Sequence, residues 1–109
     1  MGEIRTQPIA AQHVQEWEKF RKESRPGVGL IPGSFRIDGP DEDGDYDFYY
    51  CCPCGCGSIG LLFVGKNVKP AVSPSWTWNG SLEKPTLHPS VHHIGHWHGW
   101  LRDGVWESC

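Results

Sequence analysis

Apolar positions recur along this chain with two different periods. Ala10, Val14, Trp17 and Phe20 fall near helical spacing, with Glu16, Glu18, Lys19, Arg21, Lys22 and Glu23 on the other positions. That pattern predicts an amphipathic helix over about residues 9–24, laid across a sheet. Pro8 suits its first turn, and Arg25-Pro26-Gly27 ends it because the residue before a proline avoids helical torsions. From Val28 the period shortens. Phe35–Ile37, Tyr46–Tyr50, Ile59–Val64, Trp76–Trp78 and Leu87–His93 read as strands divided by Gly, Pro and Asn-Gly.

The C-terminal segment predicts its own register. His96-Trp97-His98-Gly99-Trp100-Leu101 and Val105-Trp106-Glu107-Ser108-Cys109 flank Arg102-Asp103-Gly104, and a central Asp-Gly pair is a strong two-residue hairpin signal. With that turn, Leu101 opposes Trp106, Trp100 opposes Glu107, and His98 opposes Cys109. Directly opposed residues have Cβ atoms about 5 Å apart, close enough for two ligands of one metal. Alternation places His96 on their face and Trp97, Leu101 and Trp106 on the buried one.

Composition makes a metal attractive. A chain of 109 residues buries only about 65% of its unfolded surface. Apolar content of 38%, with 14 Gly and 9 Pro, thins the core further. Small scaffolds of this kind commonly add disulfides, a metal or a partner. The formal charge of −3 excludes a general basic surface, so nucleic acid is not an expected partner. The N-terminus shows no signal-peptide run and no apolar stretch is long enough to span a membrane, so the expected location is the cytoplasm. In that compartment the 5 cysteines read as thiols or ligands before disulfides.

Cys51-Cys52-Pro53-Cys54-Gly55-Cys56-Gly57 concentrates thiols at a glycine-rich turn, the form of a metal knuckle. Cys51 with Cys54, Cys52 with Cys54, and Cys54 with Cys56 are all sterically conceivable pairs. Adding His98 and Cys109 from the hairpin gives a mixed set for a tetrahedral site, with His96 as the alternative ligand. The candidate ligands are Cys52, Cys54, Cys56, His98 and Cys109, and sequence alone does not choose among Cys51, Cys52, Cys54 and Cys56. Thiolates favour zinc over magnesium or calcium. Sulfur-rich sites are usually closed, so the zinc is expected to be structural, and no residue is assigned as catalytic. The expected class is α+β, mainly β: a small zinc-stapled antiparallel sheet of zinc-ribbon-like hairpins with one N-terminal helix. It forms a single domain, 1–109, with an acidic loop over 38–47 and the zinc-binding β region over 48–109.

Two surfaces stand out. Asp41, Asp43, Asp45 and Asp47 begin a calcium-loop spacing, but Cys52 stands where its closing Glu belongs, so the run reads as a solvated acidic loop. Trp76, Trp78, Trp97, Trp100 and Trp106 read chiefly as core, with Trp76 or Trp78 and Trp100 free to form a binding surface.

Trp76-Thr77-Trp78-Asn79-Gly80, Lys84-Pro85-Thr86-Leu87-His88-Pro89-Ser90 and His98-Gly99-Trp100-Leu101-Arg102-Asp103-Gly104 resemble a family of small phage and prophage proteins. Its members pair a Cys-Pro knuckle with Trp-x-Trp-Asn-Gly, Lys-Pro-Thr-x-x-Pro-Ser and an Asp-Gly turn, and some carry an ammonia monooxygenase label. The resemblance covers about residues 50–109 and implies a phage origin, a zinc fold, and Cys52 with a neighbour, His98 and Cys109 as ligands. Trp97 stands where that family tends to have a Cys. The function expected on these grounds is a zinc-binding accessory module that engages a host or phage protein, a host- or defence-inhibiting role included, through Asp41, Asp43, Asp45, Trp76 and Trp100. The alternative is a small zinc-dependent hydrolase or nucleic-acid-processing enzyme using His96 or Glu107 beside the metal. The oligomeric state stays open.

Overall fold

The computed structural model describes residues 5–16, 18–20 and 31–109. Among them run nine strands: β1 (Ile9–Ala10), β2 (Phe35–Asp38), β3 (Asp45–Cys51), β4 (Ile59–Lys66), β5 (Trp76–Trp78), β6 (Leu87–His88), β7 (Val91–His93), β8 (Trp97–Arg102) and β9 (Val105–Ser108). They form two sheets, ordered β1-β9-β8-β7 and β2-β3-β4-β5-β6. The mainly β expectation holds. All neighbouring pairs are antiparallel except β4 with β5.

The start of the expected helix is a strand instead. Ile9 and Ala10 pair with Trp106 and Val105, the Ala11 amide donates to the Gly104 carbonyl, the Val14 amide donates to the Phe35 carbonyl, and the Phe35 amide donates to the Gln12 carbonyl. Amides recruited by two sheet edges cannot also serve a helix, so long-range pairing overrides the local period. Among the described residues helical structure is confined to Glu18–Phe20, where the Phe20 amide donates to the Glu16 carbonyl at 2.8 Å. Residues 17 and 21–30, the rest of the 9–24 expectation, lie outside the described residues.

Strand alternation builds one core from both sheets. Phe48 and Tyr50 of β3 and Leu62 and Val64 of β4 point inward to meet Val91, Trp97, Leu101 and Trp106 of the other sheet. The Trp97 and Trp106 rings meet edge to face, 5.6 Å between centroids, and the Trp106 indole N–H donates to the Gly33 carbonyl at 2.9 Å. Burial of such large apolar groups contributes roughly 1.5–3 kcal/mol each. Gly60 lets the sheet close over Tyr50, since a Cβ there would sit 2.4 Å from that ring.

The Asp-Gly hairpin forms with the predicted register: Arg102 opposes Val105, Leu101 Trp106, Trp100 Glu107 and Gly99 Ser108. Asp103 and Gly104 take φ of 50° and 78°, as a mirror-image turn between twisted strands requires. The predicted Leu87–His93 strand is split. Pro89 has no amide hydrogen to offer a ladder, so the chain leaves one sheet after His88 and enters the other at Val91. The acidic stretch is likewise shorter than expected as a loop. Asp38 and Asp47 pair across β2 and β3, leaving residues 39–44 as the connection.

Candidate functional site

The thiol knuckle is the loop of the β3–β4 hairpin. Cys51 is the last residue of β3 and opposes Ile59. The Cys52 amide then donates to the Ser58 carbonyl at 2.9 Å and the Gly55 amide to the Cys52 carbonyl at 3.0 Å. Gly55 and Gly57 take φ of 85° and 86°, a left-handed backbone that folds the loop back on itself. Sulfur atoms of Cys52, Cys54 and Cys56 consequently lie within 4.8 Å of one another. Cys52 and Cys54 are 3.3 Å apart. These three thiols can hold a metal ion.

Burial pushes the Cys52 thiol well above its ordinary value, and the neighbouring thiols add to the rise although a backbone hydrogen bond at Cys54 opposes it. At Cys56 burial again works upward, but hydrogen bonds from Ser58 and from the Cys54 and Cys52 thiols outweigh it and favour the thiolate. Tyr50, buried beside this loop, is raised by burial and by the charges of Cys52 and Cys56. It stays a neutral phenol, in a 2.9 Å hydrogen bond with His93 Nδ1.

The structure does not bring His98 and Cys109 to the thiols. They are opposed as predicted, the Cys109 amide donating to the His98 carbonyl at 3.0 Å, yet neither belongs to the thiol cluster. The reason lies in strand parity. On the β7–β8 hairpin, Val91, His93, Trp97 and Leu101 share the core-facing side, whereas His92, His98, Trp100 and Arg102 share the other. His96 is not on the His98 face, because alternation starts only at Trp97 and His96 belongs to the preceding turn. Its Nδ1 lies 4.0 Å from Cys54 Sγ.

On the outer face a different constellation appears. Ser90 Oγ and His98 Nε2 are 3.1 Å apart, both residues half-buried. His92, directly opposite His98, stacks on it with centroids 4.5 Å apart and planes 27° from parallel. The Trp76 indole donates to the Ser90 carbonyl at 3.0 Å, anchoring the backbone where the chain changes sheets. A hydroxyl in contact with an imidazole nitrogen is the arrangement by which a base activates a serine for attack. Glu107 lies on this face too, its carboxylate 3.3 Å from Arg102.

A family model described as a bacterial ubiquitination-like system serine protease (BubE) matches residues 17–109. The chain belongs to the BubE family. No curated protein and no solved structure matches it. The BubE match overturns the phage accessory module expected from charge clustering and resemblance: the family is named for a protease, nearer to the hydrolase alternative. The motifs that carried the resemblance all lie within the BubE match.

The residues assigned to that module have other surroundings. Asp41 Oδ1 accepts the amides of Asp43 and Asp45, both at 2.9 Å, a turn that gathers the three carboxylates within 4.8 Å. Trp76 serves Ser90, and Trp100 lies under the Arg102 guanidinium, 4.7 Å from its ring centre. Among the described residues no helix is long and apolar enough to cross a membrane. Sequence reasoning missed Ser90, quoted only as the end of a motif. The signal was available: a serine two positions before His92 shares its face, and a β7–β8 pairing places His98 there as well.

Proposed function

We propose that this BubE-family chain is a serine hydrolase that cleaves an acyl bond of a protein substrate within a bacterial ubiquitination-like system, with Ser90 as nucleophile and His98 as general base. One observation carries the reading, the 3.1 Å contact between Ser90 Oγ and His98 Nε2 on a half-buried face open to solvent. With its proton on Nδ1, His98 accepts the Ser90 hydroxyl proton as Oγ attacks the substrate carbonyl. It returns that proton to the leaving amine, and water activated by the same ring releases the acyl group. Stacking of His92 holds the His98 ring plane while that proton moves. The Trp76 bond to the Ser90 carbonyl fixes the nucleophile's backbone.

The knuckle belongs to the same reading as a structural zinc centre. A sulfur-rich donor set is the one that selects zinc among abundant divalent ions, and such an ion supplies a cross-link to a thin core. His98 and Ser90 lie on the face of the β7–β8 hairpin turned away from the core, so hydrolysis and metal binding use different side chains.

A fluorophosphonate probe tests the serine assignment. Peptide mapping is expected to place the covalent adduct on Ser90, with no adduct in Ser90→Ala and slowed labelling in His98→Ala. An adduct on another serine, or labelling that Ser90→Ala leaves intact, removes the reading.

A further inference from the structure

We propose that His96 closes a four-ligand site for a zinc-class divalent ion with Cys52, Cys54 and Cys56, fastening the turn of the β7–β8 hairpin to the loop of the β3–β4 hairpin. The inference rests on the metal reading of the knuckle and is independent of the serine reading. A tetrahedral ion with metal–sulfur bonds of about 2.3 Å and a metal–nitrogen bond of about 2.0 Å holds its sulfurs roughly 3.8 Å apart and the nitrogen roughly 3.6 Å from each. The observed 3.3 Å between Cys52 and Cys54 and 4.0 Å between Cys54 and His96 bracket those separations. The three sulfurs already lie within 4.8 Å of one another, and His96, which approaches them through Cys54, turns its ring toward Cys52 and Cys56 to complete the set.

The alternative fourth ligands are held elsewhere. His93 spends Nδ1 on Tyr50, and its ring stands edge-on to His96 at 5.4 Å, packing beside the proposed ligand. His98 is committed to Ser90 on the opposite face. Cys109 is exposed and sits opposite His98, its amide donating to the His98 carbonyl. His96 is half-buried, and its amide donates to the His93 carbonyl at 2.9 Å, which closes the turn that carries its ring. On binding, each thiol releases its proton to solvent while the imidazole coordinates neutral, which leaves the site with one net negative charge. The ion thereby sets the position of the hairpin that carries His98 without touching Ser90.

Cobalt(II) added to the metal-free, reduced full-length chain tests this, because its visible bands report tetrahedral geometry and its near-ultraviolet bands report thiolate ligation. Wild type is expected to bind a single ion with a tetrahedral spectrum. His96→Ala should weaken binding by more than the roughly 10–100-fold that loss of an outer-shell partner costs, and should lose the tetrahedral bands while retaining thiolate absorption. His96→Cys should restore the geometry with added charge-transfer intensity. Cys109→Ser, His98→Ala and Ser90→Ala should bind as wild type, so the metal result is read apart from any result on hydrolysis. His96→Ala with wild-type affinity and spectrum, or loss of the ion in Cys109→Ser or His98→Ala, overturns the proposal.

Discussion

The β7–β8 hairpin carries four histidines, and its two faces put them to different uses. On the inner side His93 meets Tyr50 and the turn residue His96 approaches Cys54. On the outer side His92 and His98 stack beside Ser90. Strand parity divides His93 from His92 and His98, since successive side chains of a strand point to opposite faces, and His96 escapes that parity because it belongs to the turn. One face turns nitrogen toward soft thiols in a half-buried loop. The other offers it to a hydroxyl where a substrate can reach. Residue type alone, read without register, merges these two sites into one.

The sharpest way to break the comparison is to remove each face in turn. Ser90→Ala should lower turnover of a protein substrate by about 10⁴-fold or more, the scale of losing the nucleophile in serine hydrolases. Its metal content and melting temperature should stay at wild-type values, because Ser90 is half-buried and lies outside the thiol cluster. Steady-state kinetics alongside metal analysis check both halves. A variant that loses metal together with activity shows that the faces are not separate.

The converse substitution strikes stability. Cys54→Ser removes the sulfur nearest both Cys52 and His96. Structural zinc in small domains contributes on the order of 10 kcal/mol of coupled folding energy, so the variant is expected to lose its ion and melt far below wild type. Chelation of the wild type should have the same effect, reversed by added zinc. Thermal melts with and without chelator measure it, and an unchanged transition in both excludes a structural ion in the knuckle.

The sequence made the β8–β9 hairpin legible down to its register because Asp-Gly fixes a two-residue turn, and the observed pairing runs as expected from Arg102 to Gly99. It made the β7–β8 hairpin illegible for the matching reason. Ile94-Gly95-His96 carries no such dipeptide signal, and Leu87–His93 reads as one continuous strand until Pro89 divides it between two sheets. Without that division Ser90 has no assigned neighbour. The thiol cluster was visible as a cluster, but its membership depended on where β3 stops: Cys51 still pairs with Ile59, so its side chain follows the pleat and not the loop. At the N-terminus the helical period was present, yet Ile9 and Ala10 gain more from completing the β9 edge than from a helix.

A subtler change sharpens the outer face. His92 meets His98 as a stacked ring, 4.5 Å between centroids. If it positions the base, His92→Ala should lower kcat by roughly tenfold, about 1.4 kcal/mol, with KM little changed, while His92→Phe keeps a flat ring there and recovers most of the rate. Equal losses in both variants point to a role in substrate contact or titration instead. The metal content should not respond to either change.

The smallest effect is expected in a region that belongs to neither face. Partial removal from water, then the charges of Asp41 and Asp43, hold the Asp45 carboxyl above its usual value. The folded state therefore keeps a proton there to higher pH than the unfolded chain does, so stability falls as pH rises through the interval between the two values. Above that interval the ionised Asp45 is a constant penalty. Asp45→Asn removes it without disturbing the turn, because residue 45 bonds to Asp41 through its backbone amide and carbonyl. The variant should melt slightly higher than wild type at neutral pH, and the gap should narrow in high salt, which screens charges this exposed. It should also vanish in acid, where Asp45 is protonated in both states. A lower melting temperature at neutral pH, restored by calcium only in the wild type, would mean that the carboxylates act as cation ligands and not as mutually repelling charges.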